Sequence, residues 1–269
     1  KLLDYGSGKV FNNPRSSVNQ NAINDNNYSF DLFATYTKTI AQDHKVVAMI
    51  GNTVYKEYGN ALYGAGYDVP NNSWDFADIV LARGAPPAGV NPSSSYIYDE
   101  RRLSYFTRVQ YDYKGKYLLS GMYRRDGSTK FGPGNKFGYF PSVTAGWVIS
   151  DEGFFGESKV INFMKLRGSY GIVGNDKIQN NGYISQLSGE ATYVFDNALV
   201  NGVAIGQIAN PNLKWEEAVK FDVGLDLNLF DNKINIVADY FIDTREDLLI
   251  GNIPVSGILA GAAPGSSNP

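Results

Sequence analysis

From Val219 to Leu229 every second residue is apolar: Val219, Phe221, Val223, Leu225, Leu227 and Leu229. Between them stand Lys220, Asp222, Gly224, Asp226 and Asn228. Successive side chains of a strand point to opposite faces, so this segment has one greasy face and one wet face. A helix would scatter the same residues around its whole circumference. Phe230-Asp231-Asn232-Lys233 is turn-type sequence. The alternation then resumes, with Ile234, Ile236, Ala238, Tyr240 and Ile242 set against Asn235, Asp239 and Asp243. Two such runs around a short polar turn predict an antiparallel hairpin.

The pattern recurs along the chain. Residues 28–40 and 45–58 flank Ala41-Gln42-Asp43-His44, a second hairpin. Leu103, Tyr105, Val109, Tyr111 and Tyr113 alternate with Ser104, Arg108, Gln110 and Asp112, and a tight Lys114-Gly115 turn leads into 116–126. Val143, Ala145, Trp147 and Ile149 alternate with small polar residues; Met164, Leu166, Tyr170 and Ile172 alternate with Lys165, Arg167 and Ser169. The reading gives about eight strands and two weaker ones, with no helix of normal length. The strands run to about 10–14 residues, against a usual mode near 5–6. The 19 Tyr, 15 Phe and 29 Gly suit strands and tight turns.

The connections fall into two classes. Those at 41–44, 114–115 and 230–233 are very short; those at 59–102 and 174–213 are long and rich in Asn, Gly, Pro and Ser. Short turns at one end and long loops at the other are the asymmetry of an outer-membrane barrel, whose strands need only about 9–11 residues to cross. Charges on the wet face (Asp222, Asp226, Arg108, Asp112) suit a watery lumen, and Tyr111, Tyr113, Tyr117, Tyr139 and Tyr240 are placed to form interfacial girdles. The expected fold is all-β, an antiparallel transmembrane β-barrel segment. A soluble β-sandwich alternates too; it would stay monomeric without detergent, and so many exposed apolar faces argue against it.

Most chemistry lacks material. A balance of 24 basic and 27 acidic residues offers no cationic face for nucleic acid. The absence of cysteine removes disulfides and thiolate sites. The single histidine, His44, is expected in an exposed turn rather than as a catalytic base. Gly64-Ala65-Gly66 lacks the strand–helix context of a dinucleotide loop, and Gly132-Pro133-Gly134 with Lys136 lacks phosphate-loop spacing. Asp25 among Asn24, Asn26 and Asn27, and Asp176 with Asn180 and Asn181, read as turn chemistry rather than calcium ligands. No enzyme activity, cofactor or metal is expected.

Ordered motifs are more specific than pattern. Residues 108–119 are followed by Arg124-Arg125-Asp126-Gly127-Ser128-Thr129-Lys130-Phe131-Gly132-Pro133, then by Gly138-Tyr139-Phe140-Pro141-Ser142 through Trp147. Leu166-Arg167-Gly168-Ser169-Tyr170-Gly171, Gly174-Asn175 and Asn210-Pro211-Asn212-Leu213-Lys214-Trp215-Glu216 complete the series. This order resembles the barrel of SusC/RagA-type TonB-dependent outer-membrane transporters of Bacteroidota, over residues 28–255. The resemblance implies a plug domain inside a barrel of about 22 strands, import of oligosaccharides or peptides, a SusD-like surface lipoprotein over the extracellular loops, and drive from TonB-ExbB-ExbD through the plug. A chain of 269 residues is too short for that many strands. All of 1–269 is therefore expected to be barrel, an internal fragment without plug, N-terminal extension or remaining strands. The alternative is a small self-contained outer-membrane barrel, passive or structural, which would need a closing strand after residue 255. Proline is expected to open the strand at Pro141, where no ladder donor is needed.

The long loop at 59–102 holds or adjoins Tyr58, Tyr63, Tyr67, Trp74, Phe76, Tyr96 and Tyr98. Aromatic faces beside Asn and Asp suit capture of sugar or peptide, or contact with a partner lipoprotein. Tyr63, Tyr67, Trp74, Phe76, Tyr96 and Tyr98 are the candidate ligand- or partner-contacting residues.

Overall fold

A computed structural model describes residues 2–4, 10–12, 15–70, 73–87, 91–156, 158–178, 180–187, 189–206, 208–248, 253–254 and 267–268. In chain order the strands are β1 (Leu2–Asp4), β2 (Val10–Asn12), β3 (Ser17–Ile40), β4 (His44–Tyr67), β5 (Ser93–Tyr113), β6 (Tyr117–Ser128) and β7 (Phe137–Val148). They continue as β8 (Ile161–Asn175), β9 (Gly189–Phe195), β10 (Ala198–Ala204), β11 (Glu216–Leu229), β12 (Ile234–Glu246), β13 (Ile253–Pro254) and β14 (Ser267–Asn268). Three 3-10 turns are the only helical elements among the described residues. One sheet of eight strands, in the order β12-β11-β8-β7-β6-β5-β4-β3, carries the architecture. It is antiparallel wherever its register is defined and is open, with β12 and β3 at its edges.

The register makes the two faces continuous. Val223 of β11 lies opposite Tyr240 of β12 and Gly168 of β8, while Leu225 lies opposite Ala238 and Leu166. Farther along, Trp147 pairs with Leu166 and Tyr117, and Tyr113 pairs with Tyr117. The apolar sets of six strands thus share one face. The polar sets form rows on the other: Gln110, Ser120, Thr144, Ser169 and Asp222 are successive register partners across five strands.

The short turns are as expected, and the backbone explains them. Lys114 (φ 57°) and Gly115 (φ 72°) are both left-handed, and in this three-residue connection the Lys116 N–H donates back to the Tyr113 carbonyl at 2.9 Å. The Asp112 carboxylate accepts from the Gly115 amide at 2.7 Å, so this charge serves the turn and does not stand in mid-strand.

Several expectations are corrected. β3 and β4 are each 24 residues long, well beyond the 28–40 and 45–58 read from the pattern. The 59–102 loop therefore shrinks to 68–92, with Tyr63, Tyr67, Tyr96 and Tyr98 on strands. The Asn24–Asn27 stretch and Gly64-Ala65-Gly66 are strand as well. The 174–213 connection contains the β9–β10 hairpin, turned at Asp196-Asn197, both left-handed. Pro141 lies inside β7 and does not open it. It is tolerated because the ladder to β8 begins only at Ser142.

The chain divides into two compact units, one of Lys1–Tyr28 and Lys56–Asp99, the other of Ser29–Tyr55 and Glu100–Pro269. In the second, the buried core lies where the long connections meet the strands. Phe131 is wholly buried against Trp215, ring centres 5.1 Å apart, and Phe140 meets Trp215 edge-on at 5.4 Å. Leu213 completes the cluster, with Ile172 and Ile178 packed against it. The Trp215 indole N–H donates to the Lys136 carbonyl at 3.2 Å.

Candidate ligand-contacting surfaces

In the larger unit the polar face is built around Arg167 of β8. Its guanidinium reaches Asp226 at 3.1 Å and Asp222 at 3.6 Å on β11, and Asp239 at 2.5 Å on β12. Gly224 is the register partner of both Arg167 and Asp239, so nothing stands between them. Lys220 and Asp243 pair one row beyond, at 3.1 Å. Lys45, Gln110, Ser120, Thr144, Lys165, Arg167 and Ser169 line a groove of about 540 Å³ on this face. Cations, carboxylates and hydroxyls in hydrogen-bonding rows are what a hydrated solute or a polar polypeptide would contact. The predicted wet-face residues Asp222 and Asp226 stand in this lattice, and Arg108 faces the Met49 sulfur at 4.0 Å.

The apolar face carries aromatic rings at both ends. Near the short turns, His44, Tyr113, Tyr117, Trp147 and Phe154 follow one another with ring centres 4.7, 6.1, 6.5 and 6.3 Å apart, across β4 to β7. At the other end Tyr123 stacks on Tyr139 at 6.3 Å. Along β7, Trp147 and Tyr139 are separated by about 27 Å at ~3.4 Å per residue, close to the ~25 Å apolar band of an outer-membrane barrel. Tyr111, Tyr113, Tyr117 and Tyr139 stand at or near strand ends, the position a girdle requires. Tyr240 does not, because it sits in the middle of β12. His44 is half-buried rather than exposed: it opens β4, and its Nδ1 lies 2.7 Å from the Tyr111 hydroxyl.

Beyond the girdle at the short-turn end, Glu152 accepts from the Trp147 indole at 3.0 Å and lies 3.7 Å from Lys116. The Tyr117 hydroxyl is its strongest partner, and with Trp147 it holds the Glu152 carboxyl below its ordinary range.

In the smaller unit the six candidate aromatics separate into groups. Tyr63 of β4 stacks on Tyr96 of β5 at 6.2 Å, and Tyr96 meets Tyr98 at 6.0 Å, forming a short ladder. The Tyr98 hydroxyl donates to Asp25 of β3 at 2.5 Å. Gly59 lies between them on β4: a side chain there would collide with the Asn24 carbonyl and the Tyr98 hydroxyl. Tyr67 stands apart beneath the Arg15 guanidinium, 5.2 Å from its ring centre. Arg15 also grips Asp68 through two bonds, at 3.0 and 2.8 Å, which lowers the Asp68 pKa. Trp74 and Phe76 share a 3-10 turn, and Trp74 is 94% exposed.

The remaining motifs have structural work. Asp176 pairs with Arg102 at 2.7 Å, and Asn180 donates to Glu100 at 2.6 Å, so both side chains are engaged by protein partners. No cluster able to hold a metal ion occurs among the described residues. Sequence reading missed the Arg167 lattice and the Tyr63–Tyr96–Tyr98 ladder as assemblies, since both depend on strand register.

A TonB-dependent receptor-like β-barrel family model matches residues 3–261. The chain belongs to the TonB-dependent receptor β-barrel family. TonB-dependent receptor P39 of Formosa agariphila is 31% identical over 262 residues, 95% of this chain and 24% of that protein. TonB-dependent receptor SusC of Bacteroides thetaiotaomicron is 27% identical, covering 83% of this chain and 21% of its own length. The structure of the RagAB peptide transporter superposes with a TM-score of 0.77 at 25% identity, over 95% of this chain and 27% of that one. This TonB-dependent receptor segment thus spans about a quarter of the length of the relatives it matches. The family is one of outer-membrane receptors.

Proposed function

We propose that the chain supplies part of the wall of an outer-membrane importer, whose plug and remaining strands lie outside these 269 residues. The observation that carries this reading is the two-faced sheet. One face is apolar between two aromatic belts, as lipid requires; the other carries rows of charges and hydroxyls, as a watery lumen requires, with Phe106, Leu118, Val237 and Phe241 set among them. The likeness to the RagAB peptide transporter supports import of peptides; oligosaccharides are the other class that the SusC/RagA-type motifs imply. By the same likeness, a SusD-like lipoprotein closes the long-loop end, and TonB-ExbB-ExbD acts through the plug.

Within that importer, Tyr63, Tyr96 and Tyr98 form the ligand-contacting ladder. Tyr67, Trp74 and Phe76 belong to the surface that meets the partner lipoprotein, Trp74 being the most exposed of them. The test is deletion of the gene, followed by growth on a panel of polysaccharides, peptides and their monomers. Loss of growth on one polymer class, with growth on its monomer intact, supports the reading. Equal growth on every polymer, or equal loss on monomers, contradicts it.

A further inference from the structure

Among the described side chains, Arg125 holds the one buried polar atom without a hydrogen-bond partner, its Nε. Arg125 is on β6, opposite Tyr105 of β5 and Tyr139 of β7. Those partners belong to the apolar face, so Arg125 points outward, away from the polar rows. Its neighbours in sequence point the other way: Arg124 is paired with Asp126 at 2.7 Å on the polar face, and that carboxylate is not available to Arg125. The guanidinium carbon sits over Phe137, 3.8 Å from the ring centre, and 5.8 Å from that of Tyr139. Tyr105, Tyr123 and Tyr139 surround it, each about half exposed. A cation is thus stacked among aromatic rings at the long-loop end with its Nε closed off by protein, so its terminal nitrogens are the ones left to face a ligand, and no ion pair to it occurs among the described residues.

A cation on the lipid face is costly at mid-membrane and nearly free at the interface. Arginine presents a planar fork that matches phosphate oxygens two at a time, and stacking on an aromatic ring fixes that fork in place. Basic residues at the headgroup level recognise anionic headgroups. We propose that Arg125, seated on Phe137 and flanked by Tyr105 and Tyr139, is a binding site for the phosphate of an outer-leaflet lipid headgroup. The site anchors the barrel wall at the long-loop side of the membrane. This inference rests on the membrane placement proposed above.

The test uses the full-length receptor in phosphatidylcholine nanodiscs doped with phosphatidic acid, or with diacylglycerol as the phosphate-free match. Insertion is read separately, by quenching of tryptophan fluorescence with brominated acyl chains. Bound lipid is counted by native mass spectrometry. The expected result is retention of phosphatidic acid over diacylglycerol, weakened roughly tenfold in Arg125→Gln and less in Arg125→Lys. Lys233→Gln, in the turn at the opposite end, should match the unaltered receptor. Equal retention by Arg125→Gln in an inserted receptor overturns the proposal. So does displacement of the lipid by equimolar inorganic phosphate, which would make the site one for a free anion. Absence of quenching would instead overturn the membrane placement.

Discussion

Arg167 and Asp239 stand on strands that are not neighbours, yet their side chains meet over Gly224 of the strand between them. A methyl group at Gly224 would lie 2.4 Å from the Asp239 carboxylate and 2.5 Å from the Arg167 guanidinium carbon. The missing side chain is therefore a window through which one cation gathers carboxylates from two strands. The same construction recurs in the smaller unit, where Tyr98 reaches Asp25 across Gly59.

Closing the window should break the lattice. Gly224→Val is expected to separate Arg167 from Asp239 while leaving its contacts to Asp222 and Asp226. Arg167→Met should be worse, because it leaves three carboxylates facing one another without their common cation. Urea unfolding in detergent micelles checks the order: both variants unfold at lower urea than the parent, Arg167→Met first. Equal midpoints would show that the lattice does not hold the wall.

The buried cluster at the loop end predicts large losses from small changes. Phe131→Ala removes a wholly buried ring and should cost about 3–5 kcal/mol. Gly174→Val should cost about 1–3 kcal/mol by overpacking, since a side chain at Gly174 would meet the Phe140 ring at 2.0 Å. Tryptophan fluorescence in a Trp74→Phe, Trp147→Phe background, where Trp215 is this chain's remaining tryptophan, reports both during unfolding, and an unchanged midpoint in Phe131→Ala would contradict this view of the core.

Much of this was legible in the sequence, and the limits have physical causes. The alternation of 219–229 announced β11 and its two faces, because a strand's period is a property of the chain alone. Phe131 and Trp215 were each visible in a motif, but their stacking was not: it joins residues far apart in sequence. The far end of β3 was hidden because Asn19, Asn21, Asn24, Asn26 and Asn27 carry turn-type side chains. There neighbouring strands override local preference, and Asp25 is held by Tyr98. Arg167 was identifiable as a polar-face residue, while its three partners required register.

Acid should loosen the 149–155 turn. The Glu152 carboxyl is held below its ordinary value of 4.5, by Tyr117 first and then Trp147, so its ionised form is the one the fold prefers. The stabilisation is complete above that value and is lost as pH falls through the lowered one. Protection of amides 149–155 against hydrogen exchange, corrected for the intrinsic rate, should therefore hold at the ordinary carboxylate value of 4.5 and fall at more acid pH, and Glu152→Gln should abolish that pH dependence. Exchange that quickens equally in Glu152→Gln would assign the effect to another group.

The aromatic ladder makes a functional prediction. Tyr63→Ala with Tyr96→Ala should lower uptake of the receptor's ligand by roughly tenfold or more, since stacking two rings contributes on the order of 1–3 kcal/mol. The unfolding midpoint should be little changed, because Tyr96 is exposed and Tyr63 only half-buried. Transport assays in cells carrying the double variant check this, and full uptake would remove the ladder from the ligand path.

The central claim is that one face of this sheet meets lipid and the other water. The chain has no cysteine, so single cysteines introduced from 219 to 229 report without background from it. In the membrane-embedded receptor, labelling with a membrane-impermeant charged thiol reagent should alternate. Positions 220, 222, 226 and 228 should react readily, and positions 221, 223, 225 and 227 slowly. Labelling without a two-residue period, or with the opposite phase, would contradict the account.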